Sequence, residues 1–221
     1  MSLLVLLRHG ESEWNAKDLF AGWTDVELSS RGAEQAASAG RSLLDDGLLP
    51  DVVHTSVQRR AIRTADLTLA ACGRSWVPVR RSWRLNSNHY GALEGRVKSQ
   101  VRASLGEQEY ARIHRGYDVR PPLGEASDDP RYAGLPPDAR PRGESLADVT
   151  RRLLPYYHDA IVPDVFRHRC VLVVSHGNTL RALVKHLESV SDEDSSALAV
   201  PNARPMRYDF ADFPHLRHGG S

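Results

Sequence analysis

Two histidines lie far apart in the chain, and each is separated by one residue from the end of an apolar run and lies directly before a glycine. His9 lies two positions beyond the apolar range 3–7, and His176 lies two positions beyond the range 171–174. A neutral imidazole can act as a nucleophile, and a second imidazole beside it can donate a hydrogen bond to an anionic oxygen. Arg8 adds a guanidinium next to the first histidine. This combination suits the transfer of an anionic group such as phosphoryl.

The two apolar runs have the length of buried β-strands and are too short to span a membrane. In open α/β sheets, ligands bind just beyond the carboxyl ends of the strands. If the two strands are parallel neighbours, His9 and His176 meet at that rim, and we expect them to lie side by side. An amphipathic run follows Gly177, so a helix N-terminus there would favour an anion. Gly10 would allow a tight turn and a close approach by a ligand. Taken alone, a histidine after a strand is more often an ordinary loop residue.

One further polar residue is a candidate phosphate ligand, and one arginine is set apart from its neighbours by helical spacing. Asn15 lies in a long loop after the first strand, where it could donate to phosphate or simply form a turn. Arg60 lies in a helical run in which Arg59 and Arg63 share one face and Arg60 points elsewhere. We expect Arg59 and Arg63 to face solvent.

Periodicity along the rest of the chain predicts an α/β fold with a mainly parallel sheet. Further strands are expected at 51–56, at 76–79 as an edge strand because of Pro78, and at 204–210 as an edge strand. Helices are expected to start at 29, 59, 101, 144, 179 and 191. The helix from 101 to 115 should break near Gly106, and Pro155 should kink or interrupt the helix from 144. The proline-rich range 116–143 predicts a lid, a partner surface or a partly disordered loop, and the range 215–221 a mobile tail.

The composition limits the class of protein. A length of 221 residues and a net charge of +1 fit a single domain, 1–221, without a strong field for nucleic acid or a membrane surface. Cys72 and Cys170 are expected to be free thiols in a cytoplasmic protein. The sequence has no metal-ligand spacing, no P-loop and no dinucleotide fingerprint, so we expect no metal.

Several blocks of sequence resemble the histidine phosphatase superfamily, and more narrowly the cofactor-dependent phosphoglycerate mutases. They are RHGESEWN at 8–15, FAGWTDVELS at 20–29, TSVQRRA at 55–61, HYGALEG at 89–95 and SHGNTLRAL at 175–183. The blocks occur in the family's order and cover nearly the whole chain. The resemblance implies a three-layer α/β/α fold with a lid-like excursion.

The resemblance also implies an activity, which is the interconversion of 2- and 3-phosphoglycerate through a phosphohistidine at His9 in glycolysis. It implies 2,3-bisphosphoglycerate as the priming phosphate donor, a small phosphorylated sugar acid as substrate, and it leaves room for a homodimer. The catalytic positions it implies are Arg8, His9, Arg60 and His176. The substrate-binding positions are Asn15, Ala21, Gly22, Tyr90, Lys98, Arg115, Gly177 and Asn178, with Lys98 at the substrate carboxylate.

The sequence departs from the mutases on the leaving-group side of the site. The family carries Asn-Glu-Arg-His-Tyr-Gly, and this chain has Ser87 in place of the acid/base Glu and Asn88 in place of the Arg. His114 replaces the first residue of an Arg-Arg pair, and Asn202-Ala203 replaces Thr-Gly. A serine cannot act as a general acid near neutral pH, so we expect altered or weakened mutase activity. Glu94, Glu13 or Glu11 could substitute as the acid.

Three functions therefore remain open from the sequence. The first is a phosphoglycerate mutase-type phosphotransferase, with an altered substrate or weakened turnover. The second is a phosphatase acting on a small phosphate monoester. The third is a catalytically impaired homologue that binds a phosphorylated ligand.

Overall fold

Five strands form one sheet in the computed structural model, which describes residues 2–210. The strands are β1 Leu3–Arg8, β2 Val52–Thr55, β3 Val79–Arg81, β4 Cys170–Ser175 and β5 Met206–Asp209. Their order in the sheet is β3-β2-β4-β1-β5. The first four are parallel, and β5 runs antiparallel to β1 at one edge. This confirms the expected mainly parallel sheet and the edge strand near 204–210.

Helices cover both faces of the sheet. They are α1 Glu13–Ala16, α2 Ser30–Asp45, α3 Arg59–Ala71, α4 Lys98–Leu105, α5 Glu107–Arg115, α6 Leu146–Tyr156, α7 Val162–Arg167 and α8 Gly177–Leu187. Side chains alternate along β1, so Val5 packs with α2 and α3 in one core while Leu4 packs with α6 and α8 in the other. The result is the three-layer α/β/α fold.

The pairing of β1 with β4 brings the two histidines to one rim. Arg8 and Ser175 are register partners at the carboxyl ends of these strands. The backbone N–H of His9 extends the ladder by donating to the Ser175 carbonyl at 2.9 Å. The apolar runs therefore fix where the two imidazoles emerge.

Two local expectations need correction. The strand expected at 76–79 instead runs from Val79 to Arg81, because Pro78 has no N–H to donate and contributes only its carbonyl, which accepts from Val53. The helix from 146 passes through Pro155 and then widens into a π-helical turn at Tyr157–Ile161. The break at Gly106 is confirmed, since its φ of 79° ends α4.

The proline-rich segment 116–143 contains no strand or α-helix and only two short 3-10 turns, at Pro130–Tyr132 and Pro137–Ala139. Its Tyr132 is 1% exposed and packs against Trp23 with ring centroids 4.5 Å apart. None of its residues lines the central pocket described below, so a role as a lid stays a prediction. The tail expected at 215–221 lies outside the described residues. Within residues 2–210, no helix is both long and apolar enough to cross a bilayer.

Candidate active site

His9 and His176 lie together at the carboxyl ends of β1 and β4. Their ring centroids are 5.0 Å apart at an interplanar angle of 62°. They are 5% and 1% exposed. The expected adjacency of the two imidazoles is confirmed, and they form the floor of a pocket at the rim of the sheet.

The hydrogen bond of His9 determines which ring nitrogen can react. Nδ1 lies 2.6 Å from the Gly10 carbonyl, and because a carbonyl only accepts, Nδ1 carries the proton. The lone pair of the neutral ring is therefore on Nε2. Burial, with the nearby positive charges of Arg60 and Arg8, holds the His9 pKa well below its usual value. The ring is neutral at physiological pH, which is the state that a nucleophile needs.

His176 is held by a serine that the sequence did not single out. Ser56 Oγ lies 2.9 Å from His176 Nε2, and the hydroxyl can donate to that nitrogen. The proton of the neutral ring is then on Nδ1, which is buried and has no hydrogen-bond partner within residues 2–210. Burial also holds the His176 pKa well below its usual value. A neutral N–H donor without a partner, next to the nucleophile, suits an anionic oxygen.

Two buried guanidinium groups flank the histidines. Arg60 is 1% exposed and donates to the carbonyls of Gly22 and Thr24, while burial lowers its pKa to about 10 and leaves it charged. Arg8 donates to the Val200 carbonyl, and its Nε is buried without a partner in the described chain. Both line the pocket, and Arg59 and Arg63 face solvent as expected.

The loop after β1 supplies three of the expected binding residues. Asn15, Ala21 and Gly22 all line the pocket. The Asn15 side-chain oxygen accepts the Ser12 N–H, so its amide NH2 is the group on offer to a ligand. Gly22 has a φ of 51°, and a Cβ there would lie 1.9 Å from Glu94 Oε1, so only glycine fits.

The remaining expected residues lie on the other side of the pocket. Tyr90, Lys98, Arg115, Gly177 and Asn178 all line it. The Asn178 amide donates to the Tyr90 hydroxyl at 3.1 Å, and Arg115 donates to the Leu198 carbonyl at 3.0 Å. Burial lowers the Lys98 pKa and raises the Tyr90 pKa. All thirteen expected positions thus lie in one pocket, Ser87 included.

Among residues 2–210, no carboxylate lines this pocket. Its charged lining is entirely cationic and consists of Arg8, Arg60, Lys98, Arg115 and Arg181. Ser87 lies in the wall, and its backbone N–H donates to Gln58 Oε1 at 2.8 Å. A pocket with this lining attracts a ligand that carries more than one negative group.

The three glutamates considered as replacement acids all lie outside the lining. Glu94 is engaged elsewhere, since it accepts hydrogen bonds from the backbone N–H groups of Trp23 and Thr24. Glu11 accepts a hydrogen bond from the Ser29 hydroxyl, and Glu13 is exposed.

The other departures from the family pattern have structural consequences. His114 lines the pocket, and burial, with Lys98 and Arg115 nearby, lowers its pKa to about 4, so this position carries no charge at neutral pH. Asn202 donates to the His9 carbonyl at 2.7 Å. Ala203 adopts a φ of 48°, a conformation that favours the glycine of the family pattern.

Sequence reasoning missed Arg181, Ser56 and Gln58. The signal for Arg181 was present, because it lies within a run of buried residues on α8 where an arginine is unusual. The sequence predicted a close approach of a ligand to Gly10. In the structure the close approach is by α2, because a Cβ at Gly10 would lie 2.2 Å from the Gly32 carbonyl oxygen.

Comparisons with known proteins agree with this geometry. The sequence profile of the histidine phosphatase superfamily (branch 1) matches residues 4–132 and 127–213. A protein from Streptomyces avermitilis named 2,3-bisphosphoglycerate-dependent phosphoglycerate mutase is 55% identical over 225 residues, covering 99% of this chain and 89% of the relative. A protein of the same name from Thermobifida fusca is 53% identical over 227 residues, covering 100% of this chain and 92% of the relative.

Solved structures with the same fold include phosphatases. A mycobacterial glucosyl-3-phosphoglycerate phosphatase, solved in complex with VO3, has a TM-score of 0.75 at 25% identity and covers 95% of this chain and 91% of its own. A protein described as mycobacterial hydrolase 1 has a TM-score of 0.74 at 26% identity, covering 94% of this chain and 88% of its own. With a profile that matches nearly the whole chain and relatives more than half identical, the chain belongs to the histidine phosphatase superfamily.

Proposed function

We propose that this protein transfers a phosphoryl group through a phosphohistidine at His9, in the manner of a phosphoglycerate mutase. The observation that carries the proposal is the neutral His9 ring, whose Nδ1 proton is held by Gly10 so that the Nε2 lone pair is available. The substrate class is a small phosphorylated hydroxy acid, such as 2- or 3-phosphoglycerate. The mutase names of the relatives support this class.

The chemistry follows from the residues in the pocket. The Nε2 lone pair of His9 attacks phosphorus, a P–N bond forms, and the P–O bond to the leaving oxygen breaks. The positive charge that develops on the ring is stabilised by the Nδ1–H···O=C bond to Gly10. Arg8, Arg60 and His176 supply donors for the phosphoryl oxygens, where most of the transition-state charge lies. The reverse transfer, to a second hydroxyl, returns the ring to its neutral state.

The proposed priming donor is 2,3-bisphosphoglycerate. A pocket with cationic groups on both sides and no carboxylate in its lining fits a ligand with three anionic groups. When bound, this donor supplies the phosphoryl group that loads His9. Arg8 and Arg60 would hold the reacting phosphate, and Lys98 and Arg115 would hold the other anionic groups.

We further propose that mutase turnover is weakened. An alkoxide is a poor leaving group, so breaking the P–O bond of a sugar acid needs a proton donor near the leaving oxygen. Ser87 occupies the position of the family's acid, and no carboxylate lines the pocket. Activated phosphates, whose leaving oxygens are already acidic, should react relatively better.

A phosphatase is the second candidate, and the solved structures described as phosphatases favour it. In that case water, and not a second hydroxyl, takes the phosphoryl group from His9. A homologue that only binds a phosphorylated ligand is the third candidate.

Incubation with labelled 2,3-bisphosphoglycerate separates these candidates. We expect label on His9 and then on monophosphoglycerate, and no label on a His9→Ala variant. Label released mainly as free phosphate would identify a phosphatase. A protein that binds the compound without becoming labelled would be a binding homologue, and the proposal would be wrong.

A further inference from the structure

Arg181 is a buried arginine that the protein itself does not satisfy. It lies on α8, is 2% exposed and lines the pocket. Its Nε and NH1 atoms are both buried and have no hydrogen-bond partner within residues 2–210. Burying a charged group without partners is costly, so a group in this state calls for a ligand.

Other buried arginines of the chain show how unusual this is. Arg152 is 8% exposed and donates to Glu144 at 2.7 Å and to the carbonyls of Arg84 and Ser87. Arg60 is bound to two carbonyls of the loop after β1. Arg152, which does not line the pocket, thus has protein partners for its donors, whereas Arg181 has two buried donors without one, and Arg8 in the same pocket has one.

Arg181 lies one helical turn beyond Gly177 on α8 and lines the same pocket as Tyr90, His114 and Arg115. The charges that perturb His9 are those of Arg60 and Arg8. Burial, with a smaller contribution from the charge of Arg115, lowers the Arg181 pKa to about 10, so the guanidinium stays charged. His114 is perturbed by Lys98, Arg115 and Arg181. The charge of Arg181 therefore acts on Tyr90 and His114 and is not among the charges that act on His9.

We infer that Arg181 binds the carboxylate of the substrate and thereby selects phosphorylated acids over phosphate monoesters that carry no carboxylate. This inference rests on the proposed function. The contribution of Arg181 to carboxylate binding should be larger here than in the family, because Asn88 and His114 provide no charge where the family has arginines. Lys98 and Arg115 share the task, but Arg115 is already bound to backbone carbonyls at 196 and 198. Arg181 contributes two buried donors, Nε and NH1, that have no partner in the described chain.

The test uses two ligands that differ at one group. 3-Phosphoglycerate carries a carboxylate where glycerol 3-phosphate carries a hydroxymethyl group. Calorimetric titration of each into the unphosphorylated protein gives a selectivity ratio. We expect Arg181→Gln to reduce affinity for 3-phosphoglycerate by about tenfold to a hundredfold and to leave glycerol 3-phosphate essentially unchanged. Arg181→Lys should restore part of the selectivity, and Arg63→Gln, an exposed arginine on α3, should change neither affinity.

Thermal unfolding without ligand separates binding from a structural role. Because its donors are unsatisfied, removing Arg181 should leave the Tm of the free protein unchanged or raised, while the Tm increase with 3-phosphoglycerate shrinks. Equal loss of affinity for both ligands, or a lowered Tm with unchanged selectivity, would overturn the inference. If the wild-type protein binds neither ligand, the proposed function itself is wrong, which is a different result.

Discussion

Restoring a carboxyl group at position 87 tests the main functional expectation. Ser87 is 8% exposed, lines the pocket and occupies the position of the family's acid. Its backbone is held firmly, since its carbonyl accepts from Trp23 Nε1 at 2.7 Å and from Arg152 NH2 at 2.9 Å. Ser87→Glu therefore adds a carboxyl to a rigid wall without moving the backbone that carries it.

The size of the gain can be bounded. A positioned general acid is worth about a hundredfold to ten-thousandfold in rate, or about 3–5 kcal/mol of barrier. In this pocket the cationic lining favours the ionised carboxylate, which cannot donate a proton, although a bound phosphate offsets that charge. We therefore expect Ser87→Glu to raise the mutase rate by about a hundredfold, the lower end of this range. Adding Asn88→Arg should raise the rate further. The recovery of mutase activity should still be partial, because this change removes the hydrogen bond that Asn178 donates to Asn88.

The assay is the interconversion of 3- and 2-phosphoglycerate with bisphosphoglycerate present. Ser87→Gln is the matched control, because a glutamine side chain has the same size as a glutamate but no proton acidic enough to act as a general acid. Loading of His9 from an aryl phosphate should respond little to Ser87→Glu, since that leaving group needs no acid. An equal gain with Gln, or a wild-type rate already normal for such mutases, would falsify the assignment of Ser87 as a functional loss.

Three further predictions follow from the same pocket. His9→Ala should abolish the phosphoenzyme while circular dichroism shows an intact fold, and any labelled histidine in that variant would contradict the mechanism. Arg60→Ala should weaken phosphate binding by about 1.5–3 kcal/mol in titration calorimetry, whereas Arg63→Ala should not. His114 has a folded pKa of about 4, below its unfolded value of about 6.5, so the unfolded state takes up the proton first and stability is lost as pH falls through this window. His114→Gln should reduce that loss by up to about 1.4 kcal/mol per pH unit in denaturant titrations, and an unchanged slope would show that the ring is charged in the folded protein.

The sequence by itself determined the sheet and the rim. Runs of apolar residues at 3–7 and 171–174 indicated buried strands, and the carboxyl ends of parallel strands share one rim, so both histidines were expected there. That β1 and β4 are direct neighbours, which places His9 beside His176, is a property of the folded sheet. Arg60 could be separated from its exposed neighbours by helical spacing. The break between α4 and α5 followed from Gly106, whereas α4 begins at Lys98 and not at the expected position 101.

Only the tertiary structure decided which nitrogen of His9 is free, because that depends on a 2.6 Å contact with a carbonyl. It also decided that Glu94 is unavailable as an acid, since its oxygens are engaged by backbone N–H groups 70 and 71 positions away in sequence. The unsatisfied state of Arg181 is likewise a property of its surroundings and not of its spacing. Local periodicity reports which face of an element is buried, whereas hydrogen-bond partners and unpaired charges depend on segments that meet only when the chain folds.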